Sequence, residues 1–139
     1  MEYKVIGDDI LLRLDPGDEV VAAIRELAAK ENLKLAKVQG LGAAKKVVMG
    51  VYDLAEQKFC ANTYEGTYEI TALVGSIDTM AGAHYSHLHI TIADKEGKAY
   101  GGHLAEAIIS ATAEIVITKI NAQIDREKDT ATGLNVWKL

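Results

Sequence analysis

The chain has 139 residues, 49% of them hydrophobic and one of them proline, which suits a single folded domain over residues 1–139 with its own core. A formal net charge of −5 excludes a surface built as a whole to grip phosphates, and a lone cysteine, Cys60, excludes an intrachain disulfide or a cysteine-cluster zinc site. The opening MEYKVIGDDI is acidic where a secretory signal is basic and then apolar, and no run approaches the ~18 apolar residues of a membrane span, so a soluble cytoplasmic protein with no membrane partner is expected. The first elements in chain order are a strand pair, EYKVI and ILLRL, around the turn signal GDD. A helix is then expected over about residues 16–31, with Asp15 as its cap, Pro16 at the first helical position, and Asp18 and Glu19 supplying negative charge to the first turn. Val20, Ile24, Leu27 and Ala28 recur at helical spacing, and Asn32 ends the helix.

Beyond the helix the period changes to that of strands. LKLAKVQG, KKVVMGVYDL, KFCANTYEG, TYEITALVGSID and LHITIAD are short, rich in β-branched or aromatic residues, and divided by polar or glycine turns. AEIVITKINAQID alternates in part, EKDTATG (residues 127–133) reads as a loop, and GLNVWKL adds a last strand. The expected fold class is α+β: a central, mostly antiparallel sheet of about seven or eight strands with one principal N-terminal helix. One helix leaves much of such a sheet uncovered, so an apolar face is expected to be closed by another subunit.

The chemistry concentrates in HLHITIADKEGKAYGGHL, residues 87–104, which holds three of the four histidines. Alternation sends His87, His89 and Thr91 to one face and Leu88, Ile90 and Ile92 to the core face. The two histidines then stand roughly 6.6 Å apart along the backbone, within reach of a shared ion. DKEGK has the form of a three-residue hairpin loop, Lys95-Glu96-Gly97, with Gly97 in the left-handed position. Pairing Asp94 with Lys98 and counting back places His103 directly opposite His89, on the same face, with Gly101 and Gly102 beside Thr91 and Ile90. A loop one residue longer or shorter would send His103 to the other face.

Three neutral imidazoles suit a divalent transition metal, zinc first, with copper, nickel and iron also compatible. Three protein ligands leave one position open, the arrangement of catalytic zinc sites, and His84 is a candidate to fill it and make the site structural. The plainer alternative, ordinary surface or interface histidines, does not use the agreement between strand alternation and turn length. Glu69, grouped by alternation with Thr71 and Leu73 and opposite Tyr68, Ile70 and Ala72, is a candidate general base beside a metal. Asp53 is expected to stabilise the turn after its strand, Gly40 and Gly42 to allow a tight turn or close subunit approach, and Cys60 to be a buried structural thiol.

Three blocks of the chain resemble the PPC domain (plants and prokaryotes conserved), which in plants accompanies AT-hook DNA-binding motifs. HLHITIADKEGKAYGGHL resembles the family's histidine signature. VQGLGAAKKVVMGVYD resembles its glycine-rich turn and the following strand, through Gly40, Gly42, Ala43, Gly50, Tyr52 and Asp53. GTYEITALVGSI resembles its Gly-x-aromatic-Glu-Ile segment, through Gly66, Tyr68, Glu69 and Ile70, followed by Leu73, Gly75 and Ser76. The blocks occur in the family's order over nearly the whole chain, as in a stand-alone prokaryotic-type member. The resemblance implies an α+β fold, assembly as a homotrimer, and a metal-binding unit on His87, His89 and His103, with His84 outside the pattern.

The chain lacks an Arg-Gly-Arg-Pro AT-hook or a basic tail, so direct DNA binding is implied by kinship and disfavoured by its own residues. The expected function is a metal-dependent site that binds or transforms an unidentified small molecule, with Thr91, Gly101, Gly102, Glu69 and His84 as candidate neighbours. The alternatives are a DNA-associated regulatory protein acting through the trimer or a partner, and a trimeric interaction module with a structural metal.

Overall fold

The computed structural model describes residues 1–139 as eight strands and one helix. Strands β1 (Glu2–Ile6) and β2 (Asp9–Leu14) form the expected hairpin, and Ile10, Leu12 and Leu14 alternate into the core. Helix α1 (Val20–Lys30) is followed by four long strands, β3 (Ala36–Asp53), β4 (Lys58–Met80), β5 (Ala83–Ala93) and β6 (Ala99–Lys119), and two short ones, β7 (Asp125–Lys128) and β8 (Asn135–Trp137). All pairings are antiparallel except that of β4 with β7. The four long strands close on themselves: β3 pairs with β4 and β6, and β5 pairs with the same two. The β1–β2 hairpin extends this ring along β6.

The helix begins four residues later than its punctuation predicts. Gly17 at φ +97° cannot continue a helix, and residues 15–18 instead form a turn in which Asp18 N–H donates to the Asp15 carbonyl at 3.1 Å. That turn is anchored to β6 by Gly17 N–H donating to Ile109 O at 2.9 Å and Ile109 N–H donating to Asp18 O at 3.0 Å. Glu19 takes the capping role in place of Asp15. Its carboxylate accepts from Val21 N at 2.9 Å, Ala22 N at 2.6 Å and, across the interface, Ala107 N at 3.1 Å. At the other end Asn32 adopts φ +50° as the terminating residue, and Leu33 N–H closes back on Ala28 O at 2.9 Å. Val20, Ala23, Ile24, Leu27 and Ala28 form the buried face of the helix.

Two pairs of expected strands are each one continuous, irregular strand. Gly40 and Gly42 lie inside β3 rather than in a turn, at register shifts against β4 and β6. A Cβ at Gly40 would stand 2.8 Å from Ile115 Cγ1 and 2.9 Å from Glu114 O, so the glycine permits the close approach of β6. In β4 a register shift between Ile70 and Ala72 resets the alternation. Ile70 and Leu73, which simple alternation sends to opposite faces, are both buried, opposite Ile92 and Ile90 of β5. Asp53 behaves as expected, accepting from Ala55 N at 2.9 Å and Glu56 N at 3.0 Å in the β3–β4 turn. Cys60 does not: it is exposed, because residues 60–63 of β4 run through a stretch exposed on both faces.

One cluster of 26 buried apolar residues joins the helix to the ring, so helix and sheet share a core. No helix is long and apolar enough to cross a membrane. The C-terminal hairpin is held by a different interaction. β7 enters beside the end of β4 through Thr79–Asp125 and Met80–Arg126 pairs, and β8 folds back on β7. Arg126 donates from Nε to Asp78 Oδ1 and from Nη2 to Asp78 Oδ2, both at 2.7 Å, with side chains 4% and 0% exposed. Its Nη1 donates to Asn135 O at 2.8 Å, and its guanidinium lies 4.6 Å from the Tyr85 ring centroid and 5.7 Å from that of Trp137. Burial opposes ionisation of Asp78, but hydrogen bonds from Arg126 and Trp137 outweigh it and hold the carboxyl below its ordinary range.

Removing one partner of this pair leaves the other charge buried and alone. Arg126→Met is expected to lower unfolding free energy by about 3–5 kcal/mol, measured by urea denaturation, whereas Arg126→Met combined with Asp78→Leu recovers a large part of the loss.

Candidate metal centre

The site is built by one turn. Asp94 Oδ1 accepts from Glu96 N at 3.0 Å and Lys98 N at 2.9 Å, and Asp94 Oδ2 accepts from the Tyr100 hydroxyl at 3.2 Å. Asp94 N–H donates to Lys98 O at 3.0 Å, Gly97 N–H donates to Asp94 O at 2.9 Å, and Gly97 sits at φ +81°. The loop is therefore Lys95-Glu96-Gly97, and the β5–β6 register follows: His89 opposite His103, Ile90 opposite Gly102, Thr91 opposite Gly101. Leu88, Ile90 and Ile92 are buried on the inner face, and His87 and His89 project from the outer one.

The three rings converge. Centroid separations are 5.1 Å for His87–His89, 5.2 Å for His87–His103 and 5.5 Å for His89–His103. One nitrogen from each ring lies within 4.8 Å of the others, and the Nε2 atoms of His87 and His89 are 3.3 Å apart. Nitrogens bound tetrahedrally at 2.0–2.1 Å are about 3.4 Å from one another. The His87–His89 pair already has that spacing, and His103 offers a nitrogen within 4.8 Å of both, so the donor set fits a first-row divalent ion. Desolvation is the largest influence on His87 and His103, and both are held below the ordinary histidine pKa of 6.5. Neutral imidazole, the ligating form, is thereby favoured.

The surroundings give the trio access. It lies in a cleft of about 1150 Å³ walled by β3, β4 and the C-terminal hairpin. The Phe59 ring meets His103 edge-on at 5.6 Å. Gly102 faces Gly50 of β3 so closely that a Cβ there would be 2.6 Å from Gly50 O, which brings β6 and its His103 against β3. Thr91, Gly101 and Gly102 line the cleft as expected.

Two expected neighbours are elsewhere. His84 has the opposite strand parity and shares the face of Ser86, with its Nε2 2.7 Å from Ser86 Oγ and its Nδ1 buried without a partner. It is not among the convergent ligands and does not fill a fourth position. Glu69 is exposed and pairs with Ala93, four residues along β5 from His89, which puts it roughly 13 Å from the trio and outside the cleft. Tyr85, Arg126, Leu134, Val136 and Trp137, not singled out in the sequence, do line it. No local pattern brings the C-terminal residues to the site, because the β4–β7 pairing joins residues some 46 positions apart.

These features define a small α+β domain, mainly antiparallel, that presents three convergent imidazoles in a cleft. The chain belongs to the Plants and Prokaryotes Conserved (PCC) domain family, which its residues 1–121 match. Among solved structures it is similar to a candidate DNA-binding protein of Bacteroides thetaiotaomicron, at 26% identity and TM-score 0.96, covering 99% of this chain and 96% of that one. It is similar also to a metal-containing protein of Archaeoglobus fulgidus, at 29% identity and TM-score 0.87, covering 99% and 97%. Of curated proteins, it is 30% identical over 125 residues to the bifunctional protein GlmU of a Synechococcus strain, covering 88% of this chain and 19% of that protein. The chain thus spans about a fifth of the length of that relative.

His84 supplies a pH test independent of the trio. Its pKa is lowered from 6.5, first by burial and then by the Arg25 charge. The unfolded chain therefore binds the proton more readily, so folded stability is unaffected well above pH 6.5 and falls as pH drops below it. Thermal midpoints at pH 7.5 and 5.5 are expected to differ less in His84→Gln than in the parent protein.

Proposed function

We propose that the chain is a homotrimeric cytoplasmic protein, a single PCC domain over residues 1–139, whose His87, His89 and His103 hold a divalent transition metal, zinc by donor set, for binding or transforming a small molecule. The observation that carries this reading is the convergence of three imidazoles, set by one turn, inside an accessible cleft. The metal-containing relative of A. fulgidus supports it. A bound ion would polarise an oxygen of the ligand as a Lewis acid. The chain's own residues orient the three rings and leave room beside them at Gly101 and Gly102. No carboxylate lines the cleft to act as a base, so no catalytic residue is assigned.

The trimer is supported by an apolar row on the outside of the sheet. Val116 pairs with both Leu11 and Gln39, and Gln39 pairs with Val74, which aligns three apolar side chains across neighbouring strands. Leu11, Val74, Val116 and nearby Leu41 are 44%, 49%, 40% and 57% exposed, a patch that further copies of the chain would cover.

A second reading, a DNA-associated regulatory protein, is favoured by the B. thetaiotaomicron relative and by another candidate DNA-binding protein, from Ralstonia eutropha. The net charge of −5 opposes it. In the third reading the metal is a staple of an interaction module.

About one zinc per chain is expected after dialysis against zinc at neutral pH, falling to near zero in His103→Ala, by elemental analysis. A parent protein that takes up no metal would reject the first and third readings together. Val116→Glu is expected to shift the sedimenting species from trimer to monomer at micromolar concentration. An AT-rich duplex is expected to show no binding at low salt, and a shift with a steep salt slope would favour the second reading instead.

A further inference from the structure

The cleft differs in charge from the molecule that carries it. The chain has 20 acidic residues, yet none of them lines the cleft. The nearest buried carboxylate, Asp78, lies behind the wall and is neutralised by bidentate pairing with Arg126 and a further hydrogen bond from Trp137 at 2.7 Å. Arg126 is correspondingly spent on Asp78 and Asn135. The metal donors would be three imidazoles, which bind a metal ion in their uncharged form. A divalent ion held by them keeps its full charge of two, with no protein anion in the cleft to offset it.

We infer that the site takes a small carboxylate, whose anionic group meets the metal side of the cleft while an apolar body packs on Phe59, Leu134, Val136 and Trp137. This rests on the metal reading proposed above and adds the ligand class. The wall that selects the body is the C-terminal hairpin, residues 125–137, which lies beyond the part of the chain that matches the family. Val136 is 38% and Trp137 47% exposed, so both retain surface that a ligand can cover. An uncompensated ion distinguishes a carboxylate from its neutral amide far more strongly than an apolar wall can, and the wall in turn distinguishes an aryl acid from acetate.

The test uses the full-length protein loaded with Co²⁺, whose visible spectrum reports the metal environment. Benzoate, benzamide and acetate serve as probes. Benzoate is expected to change the spectrum saturably and to bind at least about tenfold tighter than benzamide, and not to bind the metal-free protein. Val136→Ala and Leu134→Ala, neither of which removes a hydrogen bond, are each expected to weaken benzoate about threefold or more while leaving acetate and cobalt stoichiometry unchanged. Failure to take up cobalt overturns the metal reading itself. Uptake with equal binding of benzoate and benzamide, or with benzoate indifferent to both wall substitutions, leaves that reading standing and overturns this inference.

Discussion

The hydrogen bonds that Asp94 accepts from Glu96 and Lys98 fix the length of the β5–β6 turn, and the candidate site depends on that length. Side chains alternate along a strand with a period of two, so a one-residue slip between β5 and β6 would turn His103 toward the core and expose an apolar neighbour in its place. The left-handed Gly97 lets the chain reverse within three residues, and the Tyr100 hydroxyl adds a bond to the same carboxylate from the returning strand. The buried row Leu88, Ile90 and Ile92 holds the register from the other face. Turn chemistry and core burial therefore enforce one pairing, and the convergence of the histidines is its consequence.

This part of the molecule was legible because every signal in it is local. Alternation, a turn of known length and a glycine in the left-handed position all lie within residues 87–104. The helix was legible in its apolar face and its Asn32 terminus but not in its start. Pro16 and the acidic residues are helix-opening signals, yet Gly17 and the contacts to Ile109 make a turn there and pass the cap to Glu19. Propensity yielded to a tertiary contact with a strand some 90 residues away, which no local pattern reports.

The sheet shows the same limit in another form. Glycines at 40 and 42 look like punctuation between two strands, but inside a closed ring they are where the chain must bend and where another backbone approaches. The bulge at Ile70–Ala72 similarly lets residues three apart in sequence face the same core. Strict alternation therefore grouped the buried Leu73 with the exposed Glu69, and strand parity alone, correctly applied, would have separated His84 from the other three histidines, since 84 and 87 differ by an odd number of residues. The exposed Cys60 reflects sheet that extends past its own core.

The two halves of the cleft are secured by opposite electrostatic means. On the histidine side, burial favours the neutral form of His87 and His103, which would leave the charge of a bound ion uncompensated and open to a ligand. On the hairpin side, Arg126 and Asp78 pair with each other beside Tyr85 and Trp137, so the hairpin is anchored by two charges that largely offset one another. Had Asp78 been left unpaired, it would have competed with any anionic ligand for the ion; had Arg126 been unpaired, it would have repelled the ion. The ion pair therefore does two things at once: it fastens a wall built from the C-terminal segment, and it sets two opposed charges beside His87, of which Arg126 acts to keep that ring neutral and Asp78 acts against it.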